Sequence, residues 1–399
     1  MNSTESAMID VQVQNSAVTG AEMVRRAREL SKLLAEQSYE AEKIRRPTDA
    51  VIKALEDAEI FKILAPKIYG GFELDLDTFF EVGLALSEGD ASMAWVANFY
   101  IEHVWIFALF PREFQEELFA GKGYALAPAM LSPNGLATKV EGGYRLKGRW
   151  SWSTGIMHAD WVIPAAIVTR EDGKRVPMFF ALPRSEVIVE DVWFVDGMQG
   201  TGSNDVLIDD VFIPEGRMLS FEEMIEGDTP GGRLHDNPMY RTPMLPTLGL
   251  AAAMPALGQA RACVRMVQEK LQERMGVKGT RRVGTASYMR LARAEMQVEQ
   301  AYYLLQALVR EVIAIRNRST RLDRTRWATQ LAYAVSECKA AVSYLGEIAG
   351  ASAHFQSSAI GRAQRDINLV AAHIVFDLDA RLELHGAAML GEELPGILV

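Results

Sequence analysis

The sequence predicts an α+β fold in which a helical domain, a β domain and a helical bundle follow one another along 399 residues. Two changes in hydrophobic periodicity support this order. Apolar residues recur every three or four positions up to about residue 122, and every second position from about residue 123 to 220. Long helical patterns return after about residue 248. The predicted domains are therefore residues 1–122, 123–222 and 223–399, with the β domain forming a barrel or sandwich.

The N-terminal domain should consist of several short helices. The first runs from Ala21 to about Glu42, and Thr19 is the expected N-cap, with Glu22 completing a capping box. Further helices are expected after Pro47, after the Gly70-Gly71 turn, and over "PREFQEELFAG". The segment "ASMAWVANFYIEHVWIFALF" is apolar on nearly every side, which predicts a buried helix.

The β domain is predicted from alternating segments separated by Gly, Pro, Asn and Asp. These segments are "YALAPAM", "LATKVEGG", "YRLKGRWSW", "DWVIPAAIV", "VPMFFALP", "EVIVEDVWFV" and "DVLIDDVFIP". The glycine-rich "GMQGTG" at 197–202 lies between two of them and opens no helix, so it predicts a tight turn and not a phosphate-binding loop.

The C-terminal domain should be a four-helix bundle. An irregular loop precedes it, and helical patterns then extend from about Leu248 to Ala387. Breaks are expected near residues 276–284, 317–324 and 350–355. The intervening segments are long enough to pack side by side as a bundle.

Composition excludes several classes of protein. The net charge is −10, which argues against nucleic acid or an anionic membrane as the main partner. Cys263 and Cys338 are the only cysteines, so neither a disulfide framework nor a metal site is expected. The polar first 20 residues do not resemble a signal peptide, and no 18-residue apolar run occurs. We therefore expect a cytoplasmic protein.

One stretch, "GRWSWSTGIMHADWVI" at 148–163, departs from a simple strand pattern. Three of the chain's seven tryptophans, Trp150, Trp152 and Trp161, lie among small hydroxyl side chains. The hydroxyls continue through Ser153 and Thr154 up to a glycine. Indoles supply flat apolar area and hydroxyls supply hydrogen bonds, so the stretch predicts a wall of a ligand site.

The order of domains resembles the acyl-CoA dehydrogenase fold, and four motifs resemble it in register. They are "FKILAPKIYGG", "GRWSWSTG", "GTGSNDVLIDDVFIPEGR" and "QRDINLVAAHIVFDLD". In the dehydrogenase branch, a catalytic glutamate commonly follows eight residues after the aspartate of an Arg-Asp pair. Here the pair is Arg365-Asp366 and that position is Ile374, which cannot accept a proton.

The sequence is more similar to the other branch, the oxygenase components of two-component flavin monooxygenases, which include p-hydroxyphenylacetate 3-hydroxylase and secosteroid phenol hydroxylase oxygenases. "WSTGIMHADW" is similar to their Ser-Ser-Gly-x-x-His motif, and His373 falls where their catalytic histidine lies. The resemblance implies reduced FMN or FAD from an NAD(P)H-dependent reductase, reaction with O2 through a C(4a)-hydroperoxide, and hydroxylation of a phenolic small molecule. It also implies a homotetramer built as a dimer of dimers. N- or S-oxygenation, and an acyl-CoA dehydrogenase with a displaced base, remain alternatives.

The same resemblance implies roles for individual residues. Thr154, with Ser153 as its neighbour and alternative, would face flavin N5. Trp152 would cover the ring, whereas Trp150 and Trp161 are expected in the core of the β domain. His373 would act as base or position the substrate. Substrate contacts are expected from His103, Tyr240 and Arg241, and flavin phosphate contacts from Arg274, Arg281 and Arg282.

Each of these residues also has a purely structural alternative, since strand hydroxyls bond to backbone and a lone histidine in a helical core is usually structural. His158 is expected to be structural. Ala129 stands where relatives carry a serine, which leaves that part of the site, and the substrate class, open.

Overall fold

The structure is a computed structural model that describes residues 18–276 and 284–392. Its N-terminal layer contains α1 (Gly20–Ile44), α2 (Asp49–Asp57), α3 (Leu76–Ser87), α4 (Ala91–Phe107) and α5 (Arg112–Phe119). The predicted N-cap is confirmed, because the Thr19 hydroxyl accepts the backbone N–H of Glu22 at 3.3 Å. Thr48 caps α2 in the same way by accepting from Val51.

Helix α4 is the buried helix that its sequence predicts. Every residue in it except Phe99 is buried. Its start is secured by Asp90, whose carboxylate accepts the backbone N–H of Met93 at 2.8 Å. Trp95, Phe99 and His103 follow one another at four-residue spacing, so they share one face of the helix.

The central domain is a mostly antiparallel sheet. Its strands are β1 (Ala129–Val140), β2 (Gly143–Trp150), β3 (Trp161–Thr169), β4 (Arg175–Phe180), β5 (Leu182–Pro183), β6 (Ile188–Glu190), β7 (Asp205–Pro214) and β8 (Met218–Ser220). The order is β6-β7-β2-β1-β3-β4-β8, with β5 paired to β3 and only the β1–β3 pair parallel among these. Trp150 is fully buried in the core of this domain and donates its indole N–H to Ala165 O at 2.7 Å.

Two predicted strands are shorter than their sequence patterns suggest. Of "YALAPAM", only Ala129 and Met130 belong to a strand, and of "EVIVEDVWFV" only Ile188–Glu190 does. Residues 124–128 are buried throughout, so their alternation does not mark one exposed face. They bond instead to the start of β3, where Ile163 N–H donates to Pro128 O.

Gly135 in β1 lies directly against Trp150. A Cβ atom at Gly135 would lie 2.0 Å from Cζ2 of the buried indole. We therefore expect Gly135→Ala to lower the free energy of unfolding by roughly 1–3 kcal/mol, as overpacking of a core does. Chemical denaturation would measure this, with Gly216→Ala as control, since nothing lies within 4 Å of a Cβ there. Equal stability of the two variants would contradict the expectation.

The C-terminal region begins with two short helices and continues as a bundle. Its helices are α6 (Phe221–Glu226), α7 (Pro230–Leu234), α8 (Met244–Gly276), α9 (Thr285–Ile315), α10 (Arg321–Ala349), α11 (Ala359–Ala371) and α12 (Leu378–Met389). The predicted breaks near residues 317–324 and 350–355 are confirmed, and the one expected near 276–284 lies largely outside the described residues. Helix α8 packs against α3 and α4 as well as against α10, and so joins the bundle to the N-terminal layer.

The predicted C-terminal helical bundle is confirmed, but its last expected helical segment is divided at His373. Helix α11 ends at Ala371, and His373 caps a 3-10 turn over Ile374–Phe376. The turn buries Val375 and Phe376 against the bundle. Asp377 then accepts the backbone N–H of Ala380 at 3.1 Å and starts α12.

Both cysteines are buried and free, Cys263 in α8 and Cys338 in α10. Burial raises the pKa of each thiol, that of Cys263 to about 12. Within residues 18–276 and 284–392, none of the helices is both long and apolar enough to cross a bilayer.

Candidate active site

The loop that follows β2 is attached to the buried face of α4. The indole N–H of Trp95 donates to the hydroxyl oxygen of Thr154 at 3.4 Å, and the hydroxyl of Tyr100 donates to Gly155 O. Gly155 has φ +76°, and a Cβ there would lie 2.7 Å from the Tyr100 oxygen. A side chain at this position would both strain the backbone and clash with Tyr100, so glycine is required where the loop turns beside α4.

His373 lies at the same place, although it is far away in the sequence. Its ring centroid is 6.0 Å from that of Trp95, in an edge-to-face arrangement. The Phe99 ring also packs against Trp95, with the two ring centroids 4.8 Å apart. Trp95 therefore contacts both Thr154 and His373, and the structure brings these two predicted site residues together.

Trp152 and Ser153 form the outer part of this region. Trp152 is 65% exposed and has φ +63°, a left-handed conformation that costs a non-glycine residue about 1–3 kcal/mol. Backbone bonds hold it there: Thr154 N–H donates to Trp152 O, and Ser153 N–H donates to Asn204 O. The Ser153 hydroxyl is fully buried and has no hydrogen-bond partner in the described part of the chain. A strained, exposed indole beside an unsatisfied buried hydroxyl indicates a surface that a ligand covers.

These residues fit a flavin ring system. The exposed Trp152 indole offers apolar area to a flat ring, and Thr154 and Ser153 offer hydroxyls to its polar edge. Trp150, by contrast, is fully buried and belongs to the sheet core, as its sequence predicts.

His373 is a neutral hydrogen-bond donor in this arrangement. Burial, with a further contribution from Arg381, lowers its pKa to about 4, so the imidazole is uncharged at neutral pH. Its Nδ1 accepts the backbone N–H of Val375 at 3.3 Å, so the single ring hydrogen lies on Nε2. A ring with Nδ1 occupied and Nε2 protonated can donate to a substrate oxygen but has no free lone pair. This geometry favours positioning over the alternative role as base.

His103 has both nitrogens engaged inside the protein. Nδ1 lies 2.5 Å from Ala127 O, and because a carbonyl only accepts, Nδ1 carries a hydrogen. Nε2 lies 3.1 Å from a carboxylate oxygen of Glu102, at ion-pair distance although not in good hydrogen-bond geometry. Only the ring face remains, and it stacks on Phe99 at 5.4 Å. His103 therefore reaches the site by packing on Phe99 and not through a polar atom.

Glu102, next to His103 in α4, is a buried acidic residue that none of the sequence motifs marks. It is fully buried, and burial raises the pKa of its carboxyl while His103 lowers it. A glutamate inside an otherwise apolar helix is the signal that could have revealed it, because an unpaired buried charge is costly.

The structure gives Tyr240 and Arg241 internal partners. Tyr240 is fully buried and donates its hydroxyl to Leu64 O at 3.1 Å. Arg241 donates to the backbone carbonyls of Gly232 and His235. These bonds hold the loop before α8 in shape. They favour the structural alternative for both residues, whose predicted substrate contacts stay predictions.

His158 bonds to the N-terminal layer. Its Nε2 lies 2.8 Å from Asp49 and 3.0 Å from Arg46. Burial lowers its pKa. The residue fastens the loop after β2 to the α1–α2 junction, which agrees with the structural role expected for it.

Of the three arginines predicted to contact the flavin phosphate, Arg281 and Arg282 lie outside the described residues, and so does the side chain of Arg274. Ile374, at the position where a dehydrogenase has its catalytic glutamate, is exposed. The nearest carboxylate that follows it, Asp377, accepts the backbone N–H of Ala380 as the N-cap of α12. Among the described residues, no group of His, Cys, Asp and Glu side chains could hold a metal ion.

A second buried acid, Asp366 in α11, connects the bundle to the 197–202 turn. Its carboxylate accepts the backbone N–H of Met198 at 2.5 Å. Burial, and then the nearby Asp90, raise its pKa to about 7, and burial raises the pKa of Asp90 to about 6. Both groups therefore take up protons more readily in the folded chain than in the unfolded one.

The raised pKa of Asp366 makes the free energy of unfolding depend on pH. Between the ordinary aspartate pKa and about 7, folded Asp366 holds a proton that the unfolded chain has lost. The contribution of this proton to the free energy of unfolding is complete at low pH. It is lost as pH rises through this range, on the order of 1 kcal/mol per pH unit. We expect Asp366→Asn to reduce this slope between about pH 5 and 7, measured by denaturation against pH. An exposed control, Asp172→Asn, should keep it, and an unchanged slope in Asp366→Asn would contradict the assignment.

Comparison with known proteins identifies the family and the fold. Residues 250–378 match the family model described as acyl-CoA dehydrogenase, C-terminal domain. The chain is 34% identical to a pigment production hydroxylase of Rhodococcus sp. over 92% of this chain and 96% of the relative. It is 30% identical to the oxygenase component of an FADH(2)-dependent resorcinol hydroxylase of Rhizobium sp., over 94% and 95% of the two chains. The crystal structure of 3-HSA hydroxylase from Rhodococcus sp. superposes with a TM-score of 0.91 at 27% identity, covering 95% of this chain and 99% of that one.

Fold and site together define a protein of the acyl-CoA dehydrogenase-like class. Within that class, the chain belongs to the flavin-dependent monooxygenases, the oxygenase components of two-component hydroxylases. The resemblance inferred from the sequence motifs is confirmed. Such components imply a separate flavin reductase as partner.

Proposed function

We propose that this protein hydroxylates an aromatic, phenolic small molecule with O2 and reduced FMN or FAD. The observation that carries the proposal is the junction at Trp95, which contacts both the Thr154 hydroxyl and the His373 ring. A hydroxyl suited to the flavin edge and a neutral donor suited to the substrate thus both contact one indole. When bound, reduced flavin supplies the two electrons with which O2 is divided between the new substrate hydroxyl and water.

The protein's own residues would then have three tasks. Thr154 would accept a hydrogen bond from the flavin, and Trp152 would cover the ring and exclude water from it. His373 would donate from Nε2 to the substrate oxygen, which would favour the electron-rich phenolate form and orient the substrate ring. Ala129 contributes no hydroxyl, so the substrate oxygen depends on His373 all the more.

The partner would be an NAD(P)H-dependent flavin reductase, and the protein would act as a homotetramer. The apolar side chains exposed along α9 support the assembly: Tyr288, Met289, Met296 and Tyr303 are each at least half exposed in the single chain. Surfaces of this kind mark protein contacts. Mass measurement in solution would test the tetramer, and a monomer at working concentration would contradict it.

The function is tested by supplying reduced flavin from a generic reductase and offering phenols, indoles and amines in parallel. Hydroxylated product is scored against H2O2 for each compound. We expect phenols to give product and to suppress H2O2 release, because productive transfer consumes the oxygen that otherwise escapes as peroxide.

Other outcomes would contradict the proposal. Product from amines alone would favour N-oxygenation. Purification with tightly bound oxidised FAD, together with oxidation of acyl-CoA thioesters by an artificial electron acceptor, would favour a dehydrogenase. That outcome is disfavoured by Asp377, whose carboxylate caps α12.

A further inference from the structure

Thr154 is the first member of a chain of buried hydroxyl groups. Its oxygen lies 3.0 Å from the hydroxyl of Ser203, which lies 2.8 Å from the hydroxyl of Thr201. Thr201 in turn lies 2.9 Å from the backbone carbonyl of Met198. Ser203 and Thr201 are at most 3% exposed, so water does not compete for these bonds.

One direction of the hydrogens satisfies both ends of this chain. A carbonyl oxygen has no hydrogen, so the hydrogen between Thr201 and Met198 belongs to Thr201. With its hydrogen used there, Thr201 can only accept from Ser203, and Ser203 can then only accept from Thr154. At the other end the Trp95 indole, which is only a donor, points at the Thr154 oxygen.

The carbonyl at the end of the chain is itself held in place. The backbone N–H of Met198 donates to Asp366 in α11 at 2.5 Å. The same Met198 carbonyl also accepts the indole N–H of Trp193 at 3.1 Å. The position of the Met198 carbonyl, and with it the orientation of the hydroxyls, therefore depends on a contact with the helical bundle.

We propose that this relay, from Thr154 through Ser203 and Thr201 to the Met198 carbonyl, makes Thr154 a hydrogen-bond acceptor only and so selects reduced over oxidised flavin. The inference rests on the proposed function, in which Thr154 faces flavin N5. A hydroxyl has one hydrogen and two lone pairs. Here the hydrogen is committed to Ser203 and one lone pair to Trp95, which leaves one lone pair for the ligand.

The two redox states of flavin differ in whether N5 donates or accepts a hydrogen bond. Reduced flavin carries a hydrogen on N5 and donates it, whereas oxidised flavin has a bare N5 that only accepts. A fixed acceptor forms a hydrogen bond with reduced N5. With oxidised N5 two lone pairs face each other, which lowers the affinity for oxidised flavin. An oxygenase that collects reduced flavin and releases oxidised flavin needs this preference. Ser203 and Thr201 are thus positioning residues that act through Thr154.

The experiment compares dissociation constants for oxidised flavin and, under anaerobic conditions, for reduced flavin. Thr201→Val removes the hydroxyl but keeps the shape. Ser203 can then turn its hydrogen to Thr154, which frees the Thr154 hydrogen to donate to oxidised N5. We expect the ratio of the oxidised to the reduced constant to fall roughly three- to tenfold. Ser203→Ala should give the same fall by a second route and serves if Thr201→Val folds poorly.

The conservative change Thr201→Ser keeps the hydroxyl and should retain the wild-type ratio. Ser87→Ala removes a buried hydroxyl that bonds to Gly83 O in α3, away from the relay, and controls for a general loss of packing. An unchanged ratio in both Thr201→Val and Ser203→Ala would overturn the relay, even if the wild type hydroxylates phenols. Failure of the wild type to bind reduced flavin would overturn the proposed function and the relay together.

Discussion

Replacing Thr154 by valine is expected to convert the protein from a hydroxylase into one that mainly releases H2O2. Valine has nearly the same shape but cannot accept a hydrogen bond from the flavin edge. We expect the transient flavin absorbance that follows mixing of reduced flavin, protein and O2 to shorten by roughly tenfold or more, the effect of losing one buried hydrogen bond. Stopped-flow spectroscopy measures the lifetime, and peroxide assay measures the loss of product.

The matched control is Thr154→Ser, which keeps the hydroxyl and loses one methyl group. It should retain most of the lifetime and most of the product. Thr154→Val also leaves the buried indole N–H of Trp95 without its acceptor, at a cost of about 1–3 kcal/mol of stability. Thermal unfolding must therefore be measured beside the kinetics. A folded Thr154→Val protein with the wild-type lifetime would refute the role of the hydroxyl.

Replacing His373 is expected to remove product while leaving the transient absorbance in place. His373→Leu deletes the Nε2 donor that we propose for the substrate but keeps the hydrogen bond between Trp95 and Thr154. We expect product yield to fall by at least roughly tenfold, which is what a single lost donor in a buried site costs. The lifetime measured without substrate should stay within about twofold of wild type.

His373→Gln separates a donor from a base. The Gln side chain can place an N–H near the position of Nε2, but it cannot take up a proton. Partial recovery of product in His373→Gln relative to His373→Leu is expected for a donor, and equal failure of both variants would favour a base. Because the His373 pKa is lowered to about 4, the imidazole should not gain a proton when pH falls from about 8 to 6. A loss of product near pH 6.5 that disappears in His373→Gln would contradict this.

Much of the fold follows from local pattern. A switch from helical to alternating periodicity marks the change from α5 to β1, and the evenly apolar sequence of α4 marks a helix buried on all sides. The expected core position of Trp150 is confirmed, and the flavin contact expected of Trp152, which is exposed, stays a prediction. These features depend on side chains a few positions apart, which is the range over which sequence alone carries information.

Local pattern failed where partners come from distant segments. The helical pattern near residue 373 continued in the sequence, but Val375 and Phe376 gain more by packing into the bundle, and Asp377 starts a new helix. Nothing around Tyr240 revealed that its hydroxyl bonds to Leu64 O. Tertiary contacts override local propensity in both cases, since burial and satisfied hydrogen bonds outweigh small differences in backbone preference.

The amino-acid sequence was sufficient for the order of domains and for the buried helix, while the choice of Thr154 and His373, made by resemblance, stays a prediction. Only the tertiary structure decided which polar atoms remain free. It occupied both nitrogens of His103, placed the hydrogen of His373 on Nε2, and oriented the Thr154 hydroxyl through Ser203. The reason is physical: a side chain's identity gives its donors and acceptors, but its neighbours in space determine which of them are already used.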